Sequence, residues 1–120
     1  MAESKEFAIS LAKALDSKKG RQIRVLKTGP LTTLAEYFVL CSGGSSTQIR
    51  ALADECEKAA DEIGEQLHHR EGHGTGEWEL LDFSDVIVHI FNEEARKFYD
   101  LERLWADAEP VDITEYLKQD

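Results

Sequence analysis

A run of five residues, YFVLC at positions 37–41, constrains the fold of this chain more than any other feature. Its side chains are apolar on both faces of a strand, which is typical of a central strand covered on both sides. An SGGSS turn follows, and then the clearest helical pattern in the chain, over residues 46–67. Apolar residues recur there at i, i+3, i+4 and i+7, so one face of the helix is expected to pack on the sheet. These two elements together predict an α/β protein.

The rest of the pattern predicts a mixed sheet of four or five strands with helices on its faces. Further helices are expected over residues 4–18 and 93–104, with Phe98, Leu101 and Leu104 as core anchors in the second of them. Further strands are expected over residues 22–27, 78–82 and 86–91, with a short edge strand at 111–113. Strands 78–82 and 86–91 flank a short turn and should form an antiparallel hairpin. Strand 37–41, helix 46–67 and strand 78–82 should form a right-handed crossover unit.

Composition limits the class of protein. The chain has 120 residues, which suits a single domain over 1–120. No apolar run approaches the roughly 20 residues that span a bilayer, and the start MAESKEFAIS has no signal-peptide pattern. We therefore expect a cytoplasmic protein without a membrane partner. Cys41 and Cys56 fall on apolar faces and should be buried free thiols, as is normal in a reducing compartment.

The charge of the chain bears on its partners. The sequence has 14 basic and 24 acidic residues, which gives a net charge of −10. Nucleic-acid binding depends on basic side chains that neutralise phosphates, so we expect little direct binding to RNA or DNA. A basic protein partner is compatible with this charge, because complementary charge raises association rates and selectivity. Acidity of this degree is also common in enzymes that are merely soluble.

Three motifs have residue types that occur in catalytic or metal sites. The GGSS turn at the start of a helix could bind phosphate through backbone N–H groups. Nucleotidyl transfer also needs acidic residues at alternating positions of a strand, and no strand of this sequence has them. A tight turn with a serine helix cap is therefore favoured. Asp82 and Asp85 flank the hairpin turn, where aspartates usually serve the turn itself. His68, His69 and His73 have no nearby cysteine and are expected in a solvated loop, whereas His89 should be hydrogen-bonded in the core. The sequence thus predicts no enzyme, no cofactor and no metal.

Four segments together resemble the ribosomal silencing factors, the RsfS or Iojap family. They are EYFVLCSG (36–43), QIRALADE (48–55), EGHGTGEWELLDFSDVIVHIF (71–91) and RKFYDLERLW (96–105). Glu36 departs from the family's usual aspartate, with no functional consequence expected. The resemblance implies a nucleotidyltransferase-like topology that has lost catalysis. It also implies a translational repressor that docks on the large ribosomal subunit, through the ribosomal protein numbered fourteen at the intersubunit face. There it blocks joining of the small subunit, mainly when nutrients are limiting.

The resemblance and the interface-like composition of two segments suggest contact residues. Trp78, Leu80 and Phe83 are expected as apolar anchors, with Asp82 and Asp85 facing basic groups of the partner. Tyr99 and Arg103 on the following helix are expected as secondary contacts.

Three other possibilities stay open at this stage. One is a large-subunit assembly factor without a silencing role, and another is an active nucleotidyltransferase. The third is a homodimer when the protein is free of the ribosome.

Overall fold

A six-stranded mixed sheet forms the centre of the protein in the computed structural model, which describes residues 3–72 and 76–117. In chain order the elements are α1 (Ser4–Ser17), β1 (Arg21–Lys27), β2 (Tyr37–Ser42), α2 (Ser46–Glu62), β3 (His69–Gly72), β4 (Trp78–Asp82), β5 (Val86–Phe91), α3 (Glu93–Tyr99), α4 (Leu101–Leu104) and β6 (Glu109–Pro110), followed by a 3-10 turn at Thr114–Tyr116. The strand order is β3-β4-β5-β2-β1-β6. The α/β class is confirmed, whereas the expected count of four or five strands is too low.

The strands that differ from the expectation, β3 and β6, lie at the two edges of the sheet. β3 forms within the segment that was expected to be a histidine-rich loop, and it pairs antiparallel with β4. β6 pairs antiparallel with the end of β1. The expected edge strand at 111–113 is displaced toward the N-terminus, although the Val111 N–H still donates to the Val25 carbonyl at 2.8 Å. Strands of two to four residues at a sheet edge have little periodicity of their own, which is why the pattern missed β3 and misplaced β6.

β2 is a central strand, as predicted. All six of its residues are buried, and it lies between β1 and β5. Its parallel neighbour is β5 and not β4, so the predicted crossover from 37–41 to 78–82 is wrong. The chain that leaves α2 first builds the edge strand β3, and the β3–β4–β5 meander then returns it to β2. The β4–β5 pairing itself is the antiparallel hairpin that was expected.

One face of the sheet is covered by α1 and α2. Their apolar side chains meet those of β2, β4 and β5 in the larger core, which includes Leu11, Val39, Leu52 and Val88. The hydroxyl of Ser45 caps α2 by accepting a hydrogen bond from the Gln48 N–H at 3.1 Å. This helix ends at Glu62, five residues earlier than predicted, and Gly64 just beyond it adopts a left-handed φ of 77°.

The opposite face carries a smaller core under α3, α4 and the segment after them. Leu26, Phe38, Leu40 and Phe91 pack there against Ala95 and Ala108, with Trp105 and Leu101 partly buried. Asn92 caps α3 as predicted, since its side chain accepts from the Ala95 N–H at 2.7 Å.

The predicted helix 93–104 is broken at Asp100, which has a left-handed φ of 46°. This elbow separates α3 from α4 and rotates their apolar side chains off a common face. As a result Phe98 is 82% exposed and Leu104 is 70% exposed, so the expectation that they anchor the core is wrong. Leu101 is partly buried against the smaller core.

The two cysteines are free and buried, as predicted. Burial raises the pKa of the Cys41 thiol to about 12 and also raises the pKa of the Cys56 thiol, because desolvation disfavours the thiolate. Within residues 3–72 and 76–117, none of the helices has the length and apolar character to cross a membrane.

A candidate protein-docking surface

The β4–β5 hairpin presents alternate side chains to the two faces of the sheet. Leu81 of β4 enters the larger core together with Val88 and Ile90 of β5. Trp78, Leu80 and Asp82 therefore lie on the opposite face, because side chains alternate along a strand. Each of the three is partly exposed. β4 lies one strand from the sheet edge, where the helices α3 and α4 leave this face incompletely covered.

Trp78 connects this open face to the smaller core. Its indole ring packs against Phe91, with centroids 4.9 Å apart, and its Nε1–H donates to Nδ1 of His89 at 3.2 Å. His89 is 6% exposed, and its burial lowers the pKa of the imidazole to about 4. The expectation of a hydrogen-bonded histidine in the core is confirmed. Trp78 is partly exposed, so one part of the ring is structural while another part remains available for contact.

Aromatic side chains join the hairpin to α3. Tyr99 lies 4.6 Å from Trp78, centroid to centroid, and Phe98 lies 5.1 Å from Tyr99 in an edge-on arrangement. Tyr99 is 47% exposed. Beyond Tyr99, a groove between α3 and α4 is lined by Phe98, Leu104 and the exposed Arg103. The structure thus brings the two predicted contact clusters onto one continuous surface.

Acidic groups surround the hairpin end of this surface. Asp85 is exposed, and the backbone around it is held by hydrogen bonds from the N–H groups of Glu36 and Tyr37 to its carbonyl. Asp82 accepts a hydrogen bond from the Ser84 N–H at 2.8 Å, and Ser84 has a left-handed φ of 80°. The turn expected at 83–85 is therefore present, with Asp82 stabilising it. Glu71 of β3 is also exposed and lies opposite Leu80, so a carboxylate flanks this leucine across the strands.

Phe83 does not belong to the exposed surface. It is 3% exposed and packs edge-on against Phe7 of α1, with centroids 5.2 Å apart at 82°. The chain turns immediately after β4, so the Phe83 ring enters the larger core instead of continuing the open face. The expectation that Phe83 is an apolar anchor for a partner is therefore wrong, because its ring is buried in the protein's own core. We define a candidate docking surface by the residues Trp78, Leu80, Asp82, Asp85, Phe98, Tyr99, Arg103 and Leu104.

An arginine of the edge strand β3 pairs with two acidic side chains. Arg70 on β3 binds Glu79 through Nε at 3.0 Å and Asp54 of α2 through Nη1 at 2.8 Å, which ties the edge strand to the helix. Across the described ranges, no group of three or more histidine, cysteine, aspartate or glutamate side chains has the geometry to hold a metal ion. His69 lies in β3, with Nε2 3.5 Å from Glu71, and His73 lies outside the described residues.

The GGSS turn serves the packing of α2. A Cβ on Gly43 would lie 2.7 Å from Cγ1 of Ile49, so this position requires a residue without a side chain. Ser45 provides the helix cap. Both observations match the turn-and-cap interpretation of the sequence.

Phe98 and Leu104 are the surface residues that the sequence did not reveal. Their spacing with Leu101 fits one stripe of a continuous helix, so the pattern placed them in the core. The only local signal was Asp100, since aspartate is among the few residues that adopt a left-handed conformation without severe strain.

Comparison with known proteins decides the family. A family model described as "Ribosomal silencing factor during starvation" matches residues 1–120. The chain belongs to the ribosomal silencing factors. A protein of Bacillus subtilis named ribosomal silencing factor RsfS is 39% identical over 85% of this chain and 86% of its own length. One of Halalkalibacterium halodurans with the same name is 38% identical over 83% of this chain and 86% of its own length.

The fold agrees with the solved structure of a similar protein. A crystal structure of a Chromobacterium violaceum protein superimposes with a TM-score of 0.85 at 36% identity, and it covers 88% of each chain. The resemblance stated from the four segments is thereby confirmed. Membership of the ribosomal silencing factors supports a role in regulating translation at the ribosome.

Proposed function

We propose that this ribosomal silencing factor represses translation by docking on the large ribosomal subunit and blocking association with the small subunit. The observation that supports this most directly is the docking surface, where partly or largely exposed aromatic and aliphatic side chains adjoin exposed carboxylates. Phe98 and Leu104 are 82% and 70% exposed and line one groove together with Tyr99, and a contiguous exposed apolar patch is typical of an interaction site. Tryptophan, tyrosine and arginine are the residues that most often dominate binding energy at protein interfaces.

Charge indicates the chemistry of the partner. A chain with a net charge of −10 is repelled by the phosphates of ribosomal RNA, so its contact on the ribosome should be a basic protein. Asp82 and Asp85 at the hairpin end would then face lysine or arginine side chains. The resemblance names the large-subunit protein numbered fourteen, at the intersubunit face, as this partner. The bound factor also places its excess negative charge where the RNA-rich small subunit must approach.

The scaffold is, in this proposal, a nucleotidyltransferase-like frame that serves binding without catalysis. Glu79 and Asp54 form ion pairs with Arg70 instead of standing side by side on adjacent strands, which supports this interpretation. The setting that the resemblance implies is the cytoplasm under nutrient limitation. The factor would lower translation there by keeping large subunits out of active ribosomes.

The experiment is a subunit-joining assay. Purified large subunits are incubated with the factor, small subunits are added, and the products are separated on a sucrose gradient. We expect the factor to migrate with large subunits and to reduce the fraction of joined ribosomes. Binding should weaken as salt is raised, because the charge contribution is screened. A factor that stays at the top of the gradient would overturn the proposal, while binding to large subunits without any effect on joining would favour the assembly role.

A further inference from the structure

The left-handed conformation of Asp100 is not explained by contacts of its own side chain. This residue has a φ of 46°, and its carboxylate makes no capping hydrogen bond to the α4 helix that it precedes. Its N–H donates to the Arg96 carbonyl at 2.9 Å, and that bond ends α3 without fixing the direction of α4. A non-glycine residue keeps such a conformation only where the surrounding structure holds it. Contacts between the two sides of the elbow must therefore supply the constraint.

Arg96 and Glu102 form an ion pair that spans the elbow, which we call the elbow bridge. Nε of Arg96 donates to Oε1 of Glu102 at 3.0 Å and so joins α3 to α4. Nη1 of Arg96 donates to Oγ of Ser42 on β2 at 2.8 Å, and both of these residues are buried. Oε2 of Glu102 lies 3.2 Å from Nε of Arg24 on β1. The elbow is thus attached to two strands of the sheet.

The elbow bridge has the geometry to fix the angle between α3 and α4. Charge-assisted hydrogen bonds from a guanidinium to a carboxylate are directional, and the planar guanidinium is more rigid than a lysine ammonium on its flexible stem. The elbow in turn leaves Phe98, which precedes it, 82% exposed and Leu104, which follows it, 70% exposed. Both belong to the docking surface. A change in the direction of α4 would move Leu104 relative to Phe98 and Tyr99.

We infer that Arg96 and Glu102 are positioning residues of the docking surface, which hold α4 in the orientation that the partner binds. The inference rests on the proposed function. Arg96 is 7% exposed and has little area to offer a partner, and Glu102 is engaged by two guanidinium groups. Neither residue therefore acts as a contact in its own right. The bridge contributes by ordering Leu104 before the partner arrives, since preorganised side chains lower the entropic cost of binding.

The affinity of the Glu102→Gln protein for isolated large subunits tests this role. The substitution keeps the size of the side chain and removes the charge that both guanidinium groups contact. We expect binding in co-sedimentation to weaken by roughly tenfold. Trp105 directly follows α4, so NMR contacts between its ring and Phe38, now 5.3 Å apart between centroids, should weaken as well. Glu93→Gln is the matched control, because it removes an exposed carboxylate of α3 outside the bridge, and it should bind as the unaltered protein does. Should Glu102→Gln fail to fold, Arg24→Gln takes its place with a smaller loss expected, since it removes one of the two guanidinium partners at an exposed position.

A double-mutant cycle separates positioning from a general loss of stability, which would lower affinity equally in any background. If the bridge acts through Leu104, Glu102→Gln should cost little further affinity in a Leu104→Ser protein, so the two changes are non-additive in free energy. Additive losses, or a bridge variant that binds as tightly as the unaltered protein, would overturn the inference. An intact contact between Phe38 and Trp105 in the bridge variant would overturn it too. If the unaltered chain fails to bind large subunits, the proposed function is what fails, and the contact between Phe38 and Trp105 still decides whether the bridge holds α4.

Discussion

The indole N–H of Trp78 donates a hydrogen bond to Nδ1 of His89 on the neighbouring strand, at 3.2 Å. This bond requires a deprotonated Nδ1, so the imidazole must be neutral. It also fixes the indole at the boundary between the smaller core and the docking surface. Truncating Trp78 would therefore reduce both stability and binding, and variants at more exposed positions test the surface more cleanly.

The neutral His89 should make stability depend on pH. Its pKa is about 4 in the folded protein, compared with 6.5 for the ordinary side chain. Above pH 6.5 both states are neutral and the contribution of the folded imidazole is intact. As pH falls from 6.5 toward 4 the unfolded chain binds the proton first, so about 3 kcal/mol of unfolding free energy should be lost.

Urea unfolding across this pH range measures the effect. His89→Gln cannot titrate, and its slope against pH should be smaller than that of the unaltered protein. His69→Gln, at an exposed position of β3, is the matched control, because it also removes a histidine but leaves the Trp78–His89 pair in place. Equal slopes for His89→Gln and the unaltered protein would show that His89 does not act in this way.

Phe83→Ala should destabilise the fold. The ring is 3% exposed and packs against Phe7, and deletion of a buried phenylalanine typically costs about 3–5 kcal/mol. Leu80→Ala, at a partly exposed position of the same hairpin, should cost clearly less. Urea titration of both variants checks this. If the Phe83→Ala protein were as stable as the unaltered protein, Phe83 would not be a buried core residue and would belong to the exposed surface.

The thiols should react slowly in the native protein. Cys41 and Cys56 are each 0% exposed, and burial raises the pKa of both, so thiolate is scarce at neutral pH. A bulky thiol reagent should label neither at an appreciable rate until urea is added. Rapid native labelling of Cys41 would mean that β2 is not covered on both faces.

The sequence predicted those elements whose local pattern and tertiary role agree. YFVLC is apolar at every position because β2 has a helical layer on each side, and the α2 stripe is long enough to be unambiguous. The hairpin was predictable because alternating strands flank a turn that Asp82 stabilises. The parallel neighbour of β2 could not be predicted. Whether β4 or β5 lies beside β2 depends on the edge strand β3, and the four residues of β3 show no clear alternation of apolar and polar side chains.

That the residues of the docking surface contact a partner stays a prediction, but their positions on the fold were predicted in part. Trp78, Leu80, Tyr99 and Arg103 lie where the sequence suggested, although only the structure shows that Trp78 and Tyr99 are in contact. Phe83 was predicted to be exposed because it lies next to a polar turn, and residues at the tip of a hairpin are usually exposed. Phe98 and Leu104 were misplaced because the left-handed Asp100 interrupts a pattern that otherwise continues through it.

Binding of the large subunit by the docking surface is tested most directly by the affinity of one double variant. Asp85→Lys with Phe98→Ser changes two exposed side chains of the surface, so melting should stay close to that of the unaltered protein. Asp61→Lys with Ile63→Ser is the matched control on the α2 side of the sheet, where Ile63 is 44% exposed.

Affinity for isolated large subunits is then measured by co-sedimentation at moderate salt. Loss of an apolar hot spot and reversal of a contact charge should weaken binding by roughly 30-fold or more, while the control binds normally. Unchanged affinity of the Asp85→Lys/Phe98→Ser protein would contradict the docking surface described for this chain.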